Sequence, residues 1–435
     1  MNFVSTRGAA PATDLGSALL AGLAPDGGLY VPEQLPRVQA SDFDGCTSLP
    51  EVATRLLHPF FADSELESQL SSICSEAFDF PTPLTALAYT SNTYVLELFH
   101  GPTAAFKDVG ARFLAACLPR LHLDDRDLTI LVATSGDTGA AVASAFHQRP
   151  GLRVVVLYPD GRVSPRQAHQ LGCVGDNVRA FRLDGSFDDC QRLVKQALAD
   201  RELQADRPLS SANSISLGRL LPQMSYYTMA ALAHWRASGR ELGFVIPTGN
   251  LGNAMAAILA RSIGLPIGPI TLATNANYVL TDYFAGADYR PHASVTTLAN
   301  AMDVGEPSNF ERLQWLYPDP VVLRAAFIAR AVNDGAIRAS IVRAEREHDL
   351  VLCPHSACAL NVLEALRRAG DRSDMAIVAT AHAAKFEQVV EPLIGHAVTI
   401  PDSLNALLER PSSAMPLAAD YAAFRAILHS DPLAD

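Results

Sequence analysis

Short apolar segments alternate with helical stretches from Asn92 onward, and this alternation limits the possible folds more than any other feature of the chain. Leu128 to Thr134 and Leu152 to Tyr158 are largely apolar runs, and a second such section starts at Phe244 to Pro247. Runs of this kind are typical of strands that are buried on both faces of a parallel sheet. The chain is therefore predicted to be an α/β protein with two doubly wound parallel-sheet units.

The first 92 residues lack this alternation and predict a mainly helical extension. The predicted division is an N-terminal region at 1–92, a smaller α/β domain at 93–225 and a larger α/β domain with C-terminal helices at 226–435. The predicted helices include Leu49 to His58, ended by Pro59, then Ser216 to Ala237, Pro320 to Val332, and the helices of Pro401 to Asp435.

Charge and composition argue against two classes of partner. The net charge of -12 and a pI near 5.4 disfavour nucleic acid, because binding to the phosphate backbone depends on clustered basic residues. No apolar run approaches the roughly 18 residues that a bilayer span needs, and no signal peptide is recognised at the start. Seven scattered cysteines fit free thiols in a reducing compartment. A cytoplasmic protein that binds neither nucleic acid nor membrane is expected.

One lysine stands out in the stretch LELFHGPTAAFKDVGARFL, which runs from Leu96 to Leu114. Lys107 follows Ala104, Ala105 and Phe106 at the predicted start of a helix. Lost hydration and the positive end of the helix dipole both lower the pKa of such an amine, which makes it a nucleophile suited to Schiff-base chemistry. The alternative from this stretch alone is a lysine whose amine reaches solvent from a half-buried helix start.

Two glycine-containing turns between a strand and a helix are candidate anion sites. The first contains Ser135, Gly136, Asp137 and Thr138, and its hydroxyl and amide donors suit a carboxylate or a phosphate. The second reads GNLGN over residues 249–253 and lets the backbone approach a phosphate closely. Each turn by itself is also compatible with ordinary turn chemistry. Together with Lys107, the two turns favour two bound anions, one on a cofactor and one on a substrate.

A third donor cluster spans the end of a polar run, residues 210–216, and the start of the predicted helix that follows it. Asn213, Ser214 and Arg219 could hold a phosphate, since a guanidinium group makes paired hydrogen bonds to its oxygens. The alternative is a capped helix with an arginine that faces solvent.

Other site chemistries lack their sequence patterns. GxGxxG after a strand, GxxxxGK[ST] and HExxH are absent, and Ser135 does not lie in GxSxG. Cys353, His355 and Cys358 offer three potential metal ligands, but no fourth lies nearby, so a metal is not expected.

Several motifs resemble, in order, those of the threonine synthase family. The motifs read LELFHGPTAAFKDVGARFL, TILVATSGDTGAAVASAF, SANSISLGRLL, PTGNLGNAMAA, TLANAMDVGEPSNFER and ATAHAAKF. The resemblance as a whole runs from about Val4 to beyond Lys385. The resemblance implies a fold-type II pyridoxal-phosphate enzyme, with the tryptophan-synthase-β type of fold. It also implies conversion of O-phospho-L-homoserine and water into L-threonine and phosphate, the last step of threonine biosynthesis.

The resemblance also implies residue roles. Lys107 matches the Schiff-base lysine, and Thr380 matches the residue that hydrogen-bonds the pyridine nitrogen. The cofactor-phosphate loop matches Gly249, Asn250, Leu251 and Asn253. The loop that receives the substrate carboxylate matches Ser135, Gly136, Asp137 and Thr138. The residues that hold the substrate phosphate match Asn213, Ser214 and Arg219. Three positions depart from the family pattern without removing a needed chemical group, namely Leu251, Ser356 and Ala383.

The implied chemistry explains the residue types. A hydroxyl such as that of Thr380 leaves the pyridine nitrogen unprotonated, which favours elimination over transamination. Lys107 is expected to move the α and β protons while phosphate leaves the γ carbon, and water then adds at the β carbon. His100 is a candidate for positioning the turn beside the cofactor ring. A related lyase with another substrate and a catalytically silent paralogue remain alternatives, and a monomer or homodimer is expected.

Overall fold

Two sheets form the frame of the protein, seen in a computed structural model that describes residues 1–121 and 126–430. The large sheet has six strands, in the spatial order Ile328–Ala331, Ile267–Thr274, Leu242–Pro247, Met375–Ala379, Thr93–Glu97 and Leu84–Ala86. The small sheet has five strands, in the order Met415–Ala418, Val178–Asp184, Leu152–Pro159, Leu128–Ala133 and Leu209–Ser211. All neighbours are parallel except Leu84–Ala86, which runs antiparallel to Thr93–Glu97.

The central strands are apolar because helices cover both faces of each sheet. Every residue of Leu128–Ala133, Leu242–Pro247 and Met375–Ala379 is buried. Burial on both faces removes the alternation of apolar and polar residues that a half-exposed strand shows. The predicted α/β class with two parallel-sheet units is confirmed.

Helices surround the two sheets and form the N-terminal extension. The α-helices are Leu15–Ala21, Leu49–Phe61, Leu70–Ala77, Lys107–Leu121, Asp137–Phe146, Pro165–Gly172, Phe187–Ala199, Arg201–Asp206, Leu217–Leu220, Met224–Ser238, Gly252–Ser262, Val279–Phe284, Phe310–Leu316, Pro320–Ala326, Asp334–His348, Pro354–Arg368, Glu387–Ile394, Asp402–Leu408 and Tyr421–His429. The 3-10 helices are Ala40–Phe43, Glu67–Gln69, Leu221–Gln223, Asn300–Met302 and Ala383–Phe386. A two-stranded antiparallel pair, Phe3–Ser5 and Tyr30–Pro32, lies in the extension.

Sheet membership departs from the predicted division of the chain in three strands. Leu84–Ala86, which falls in the predicted N-terminal region, is the edge strand of the large sheet. Thr93–Glu97, assigned from the sequence to the smaller domain, pairs with Met375–Ala379 in the large sheet. Met415–Ala418, assigned to the larger domain as part of its C-terminal helices, pairs with Val178–Asp184 in the small sheet. The pairings of Thr93–Glu97 and Met415–Ala418 join parts of the chain that are far apart in sequence. The chain therefore crosses between the two units more often than predicted.

Three predicted helices need correction. The helix predicted to end before Pro59 continues through it and spans Leu49–Phe61. Phe60 and Phe61 are 1% and 0% exposed, and their burial offsets the backbone hydrogen bond lost at the proline. The helix predicted over 216–237 is broken into three segments around Pro222. The last residues of the predicted helix 320–332 instead form the edge strand Ile328–Ala331.

No helix in the described ranges is long and apolar enough to cross a membrane.

Candidate active site

The carboxyl ends of strands from both sheets open onto one cavity of about 1340 Å³. Ala133 and Ser211 line it from the small sheet, and Pro247 and Thr380 line it from the large sheet. Open parallel sheets bind ligands at this edge, because the following helices begin there with unpaired N–H groups. The cavity is therefore the candidate functional site.

Lys107 is the first residue of the helix Lys107–Leu121 and lines the cavity. The preceding loop is joined to the end of a large-sheet strand, since Phe106 N donates to the Thr380 carbonyl oxygen at 2.9 Å and His382 N donates to the Ala104 carbonyl oxygen at 3.0 Å. The Lys107 side chain is only 13% exposed. Burial lowers the pKa of its amine to about 8, although the nearby carboxylate of Asp137 opposes this shift.

Asp137 lies between two lysines. Its Oδ2 atom is 3.9 Å from Lys107 Nζ, and its Oδ1 atom is 2.8 Å from Lys385 Nζ. Gln167 Nε2 also donates to Oδ1 at 2.9 Å. Burial alone would raise the pKa of the Asp137 carboxyl, but Lys385 and Lys107 outweigh it and hold that pKa well below its usual range. Asp137 is therefore ionised at neutral pH.

The turn at 134–138 is shaped for close packing at a helix start. Thr134 Oγ1 accepts hydrogen bonds from the N–H groups of Gly136 and Gly139, both at 2.9 Å. Gly136 has φ 130°, and a Cβ there would lie 2.7 Å from the Gln167 side chain, so the turn requires glycine. Ser135 and Thr138 are half-buried and line the cavity. The turn thus presents hydroxyls and N–H groups to the cavity.

The second glycine turn leads into the helix Gly252–Ser262, with Leu251 in a left-handed conformation at φ 63°. Asn253 Oδ1 accepts hydrogen bonds from Tyr226 and Tyr227 at 2.5 and 2.9 Å. Its Nδ2 group is buried and has no hydrogen-bond partner within the described part of the chain. A buried donor without a partner is costly, so this group is available to a ligand.

The side chain of Asn250 makes its hydrogen bonds within the protein. Its Nδ2 donates to Ser214 Oγ at 2.5 Å, and its Oδ1 accepts from Ser308 N at 2.5 Å. Asn309 Nδ2 donates to the Asn250 carbonyl oxygen at 3.0 Å. Asn250 therefore fixes the turn, and its backbone N–H is the group left for an anion.

The third donor cluster lies on the same cavity. Arg219 is 2% exposed, and its Nη1 donates to the Ala212 carbonyl oxygen at 2.5 Å. Burial lowers the pKa of this guanidinium to about 10, so it stays charged at neutral pH. Arg219 Nε and Asn213 Oδ1 are buried without partners among residues 1–121 and 126–430. The solvent-facing arginine considered from the sequence is ruled out by this burial.

Most of the residues predicted from the sequence come together in this cavity. Those that line it are Lys107, Ser135, Asp137, Thr138, Asn213, Ser214, Arg219, Gly249, Asn250, Leu251, Asn253 and Thr380. Gly136 is buried in its turn and is not one of the lining residues. His100 lies outside the cavity lining and pairs with Glu97, with Nε2 2.7 Å from Oε2.

Two neighbours of Lys107 were missed from the sequence. Lys385 is 0% exposed, and His355 lines the cavity and accepts a hydrogen bond from Ala301 N at 3.1 Å through Nε2. Burial lowers the pKa of His355 to about 4, so its ring is neutral at neutral pH. The sequence signal for Lys385 is its apolar surroundings, since it lies between two alanines and Phe386, much as Lys107 follows two alanines and Phe106.

The cysteine-rich segment does not assemble a metal site. Cys353 Sγ lies 3.8 Å from His355 Nδ1, whereas Cys358 Sγ donates to the Pro354 carbonyl oxygen. Over residues 1–121 and 126–430, no group of three His, Cys, Asp or Glu side chains could hold a metal ion.

Three family models match the chain. The model described as "Pyridoxal-phosphate dependent enzyme" matches residues 76–382, "Threonine synthase N terminus" matches residues 2–78, and "Threonine synthase, C-terminal" matches residues 356–428.

Relatives and solved structures agree with these models over nearly the full length. The threonine synthase of Serratia marcescens is 37% identical to this chain, over 95% of this chain and 96% of its own length. That of Escherichia coli (strain K12) is also 37% identical, over 94% of this chain and 95% of its own length. The crystal structure of threonine synthase from Escherichia coli covers 99% of this chain and 100% of its own, with a TM-score of 0.91 at 35% identity. A pyridoxal-phosphate-bound threonine synthase from Brucella melitensis covers 99% of each chain, with a TM-score of 0.89 at 35% identity. The chain belongs to the threonine synthase family and is a pyridoxal-phosphate-dependent lyase.

Proposed function

We propose that the cavity holds pyridoxal phosphate at Lys107 and there converts O-phospho-L-homoserine and water into L-threonine and phosphate. One observation carries this assignment: the amine of Lys107, the glycine turn before Gly252–Ser262 and Thr380 line the same cavity. The aldehyde of the cofactor needs an amine, its phosphate needs a cradle of anion-binding groups, and its pyridine nitrogen needs a hydrogen-bonding partner.

The glycine turn fits the phosphate of the cofactor. A helix start supplies N–H groups and a positive dipole end, and Asn253 adds its unpaired Nδ2, which has no partner among the described residues. A Cβ on Gly249 would lie 2.7 Å from Met302 Cα, so glycine alone fits this close approach. We assign the phosphate to the backbone N–H groups of Gly249, Asn250 and Leu251 and to Asn253.

Lys107 also has the properties of the proton-transfer group. Bound pyridoxal phosphate withdraws electrons from an attached amino acid, which makes protons on its carbon atoms removable. A group that accepts and returns such protons works best when its pKa is close to the working pH. The pKa of about 8 gives the Lys107 amine that property. The Asp137 carboxylate, whose Oδ2 atom is 3.9 Å from Lys107 Nζ, moderately stabilises the protonated form of the amine.

The turn at 135–138 suits the carboxylate of the substrate. Hydroxyls of Ser135 and Thr138 and the first N–H groups of the helix Asp137–Phe146 can donate to it. The Asp137 carboxylate itself points at Lys385 and Lys107, so this residue would contribute through its backbone and not through its anionic side chain.

Arg219, Asn213 and Ser214 suit the phosphate that leaves. A guanidinium held in a buried cavity stabilises developing negative charge more strongly than the same group in water. Arg219 lines the cavity and stays charged at neutral pH, which supports an anionic ligand beside it. Ser214 accepts from Asn250, which links the proposed substrate-phosphate donors to the proposed cofactor-phosphate turn.

Product analysis tests the proposed reaction. With O-phospho-L-homoserine the cofactor-loaded chain should release L-threonine and inorganic phosphate in a ratio of one to one, measured by chromatography and a phosphate assay. Homoserine is the control and should give no threonine, because its hydroxyl is a poor leaving group. Formation of ketobutyrate in place of threonine, or no turnover, would contradict the proposed reaction.

The cytoplasmic location, the absence of nucleic-acid and membrane partners, and a monomer or homodimer stay predictions.

A further inference from the structure

A second buried lysine lies behind Lys107. Lys385 belongs to the 3-10 helix Ala383–Phe386, and its side chain is 0% exposed. Its Nζ lies 2.8 Å from Asp137 Oδ1 and donates to the Thr103 carbonyl oxygen at 2.8 Å. Lys107 Nζ faces the other carboxylate oxygen, Oδ2, at 3.9 Å. Two lysines therefore share one buried carboxylate.

The sharing is unequal, because the distances differ. At 2.8 Å Lys385 makes a charge-assisted hydrogen bond, whereas 3.9 Å is too long for a hydrogen bond from Lys107. Gln167 Nε2 also donates to Oδ1 and fixes the carboxylate in this orientation. Asp137 is thus primarily the counterion of Lys385.

Burial also forces Lys385 to keep this partner. A buried ammonium is costly unless it is paired and hydrogen-bonded. The 3-10 helix is held in place from the other unit, because Ser164 Oγ donates to the Lys385 carbonyl oxygen at 2.8 Å and Arg166 Nη1 donates to the Ala384 carbonyl oxygen at 2.5 Å. The position of Lys385 relative to Asp137 is therefore fixed by packing.

The other charged groups near Lys107 do not replace Asp137. Arg219 and Lys385 are cations and disfavour a third ammonium, and burial keeps His355 neutral. Asp108, the next residue in the helix, is buried and takes hydrogen bonds from Thr103 N at 2.9 Å and Thr103 Oγ1 at 2.6 Å. Asp137 is therefore the carboxylate that decides how strongly the Lys107 ammonium is held.

We propose that Lys385 is a positioning residue that holds the Asp137 carboxylate at Oδ1 and thereby leaves the Lys107 amine able to act as nucleophile and base. Its catalytic importance rests on the proposed role of Lys107 as the cofactor-binding lysine. Without Lys385, Lys107 is the one close cation left to the carboxylate among the described residues, and the carboxylate would stabilise the ammonium form of Lys107.

The proton affinity of Lys107 is the quantity to measure. The full-length chain is freed of pyridoxal phosphate with hydroxylamine, and the rate of acetylation of Lys107 by acetic anhydride is followed by mass spectrometry as a function of pH. The wild-type midpoint is expected at about 8. In Lys385→Met the midpoint should rise by about one pH unit or more, which lowers labelling at pH 7.5 by about eightfold.

Two further variants isolate the cause. In Lys385→Met/Asp137→Asn the carboxylate charge is gone as well, so the midpoint should return to the wild-type value or fall below it. Lys385→Arg keeps a buried cation and should preserve a midpoint near that of the wild type. An unchanged or lower midpoint in Lys385→Met would overturn the proposal, as would an equal rise in the double variant.

A folding defect leaves the test intact. If circular dichroism shows that Lys385→Met is unfolded, Lys385→Gln removes the same charge and keeps a hydrogen-bond donor for the Thr103 carbonyl oxygen. The Lys107 midpoint should rise in Lys385→Gln as well, because Asp137 is still present, and an unchanged midpoint would overturn the proposal. The assay uses no bound cofactor, so failure of the proposed function would show separately, as a wild-type chain that does not bind pyridoxal phosphate.

Discussion

Replacing Lys107 by alanine is expected to abolish covalent attachment of pyridoxal phosphate and to lower threonine formation by about a thousandfold or more. Lys107 carries an amine that lines the cavity, and burial lowers the pKa of this amine to about 8. Alanine leaves neither a nucleophile nor a proton-transfer group there. Visible absorbance of the bound cofactor and the rate of threonine release from O-phospho-L-homoserine measure the two losses.

The fold should survive this change, because Asp137 keeps Lys385 as its close partner. Lys195→Ala is the matched control, since Lys195 also lines the cavity but is exposed on the helix Phe187–Ala199. This control should keep the absorbance and most of the activity. Full absorbance and turnover in Lys107→Ala, or equal losses in both variants, would contradict the role of Lys107.

The central strands could be predicted because their signal is local. Leu128–Ala133 and Leu242–Pro247 are largely apolar, and each is followed by a glycine-containing turn and a helix. Two outer strands could not be predicted in this way. Ile328–Ala331 has only one buried residue, and Met415–Ala418 likewise buries only Leu417. A short exposed segment forms a strand because it pairs with a neighbouring strand. When that neighbour is distant in the chain, the segment's own sequence shows no pattern that predicts the pairing.

The same distinction separates the site residues that were predicted from those that were missed. Lys107 and both glycine turns have local signals, namely an apolar helix start and glycines between a strand and a helix. The importance of Lys385 depends on Asp137, which is far away in the sequence and reaches it only when the two units pack together. The engagement of the Asn250 side chain by Ser214 and Ser308 also depends on tertiary contacts.

Gly249→Ala is expected to weaken binding of pyridoxal phosphate by about thirtyfold, equivalent to about 2 kcal/mol of overpacking. The added Cβ would lie 2.7 Å from Met302 Cα and 3.2 Å from the Ala301 carbonyl oxygen. Both are backbone atoms, so a flexible side chain cannot relieve the contact. Because Ala301 N donates to His355, moving the segment away would also disturb the cavity wall. Titration of the cofactor-free chain with pyridoxal phosphate, followed by fluorescence, gives the affinity.

Gly252→Ala makes the same chemical change three residues later, and it separates crowding from a general effect of losing a glycine. Its added Cβ would meet nothing closer than 3.6 Å, which is ordinary van der Waals contact. Gly252 begins a helix, where alanine is favoured over glycine. We expect its cofactor affinity to stay within about threefold of the wild type. If Gly249→Ala binds the cofactor normally, or if both variants lose affinity equally, close approach of the backbone at Gly249 does not shape the phosphate cradle.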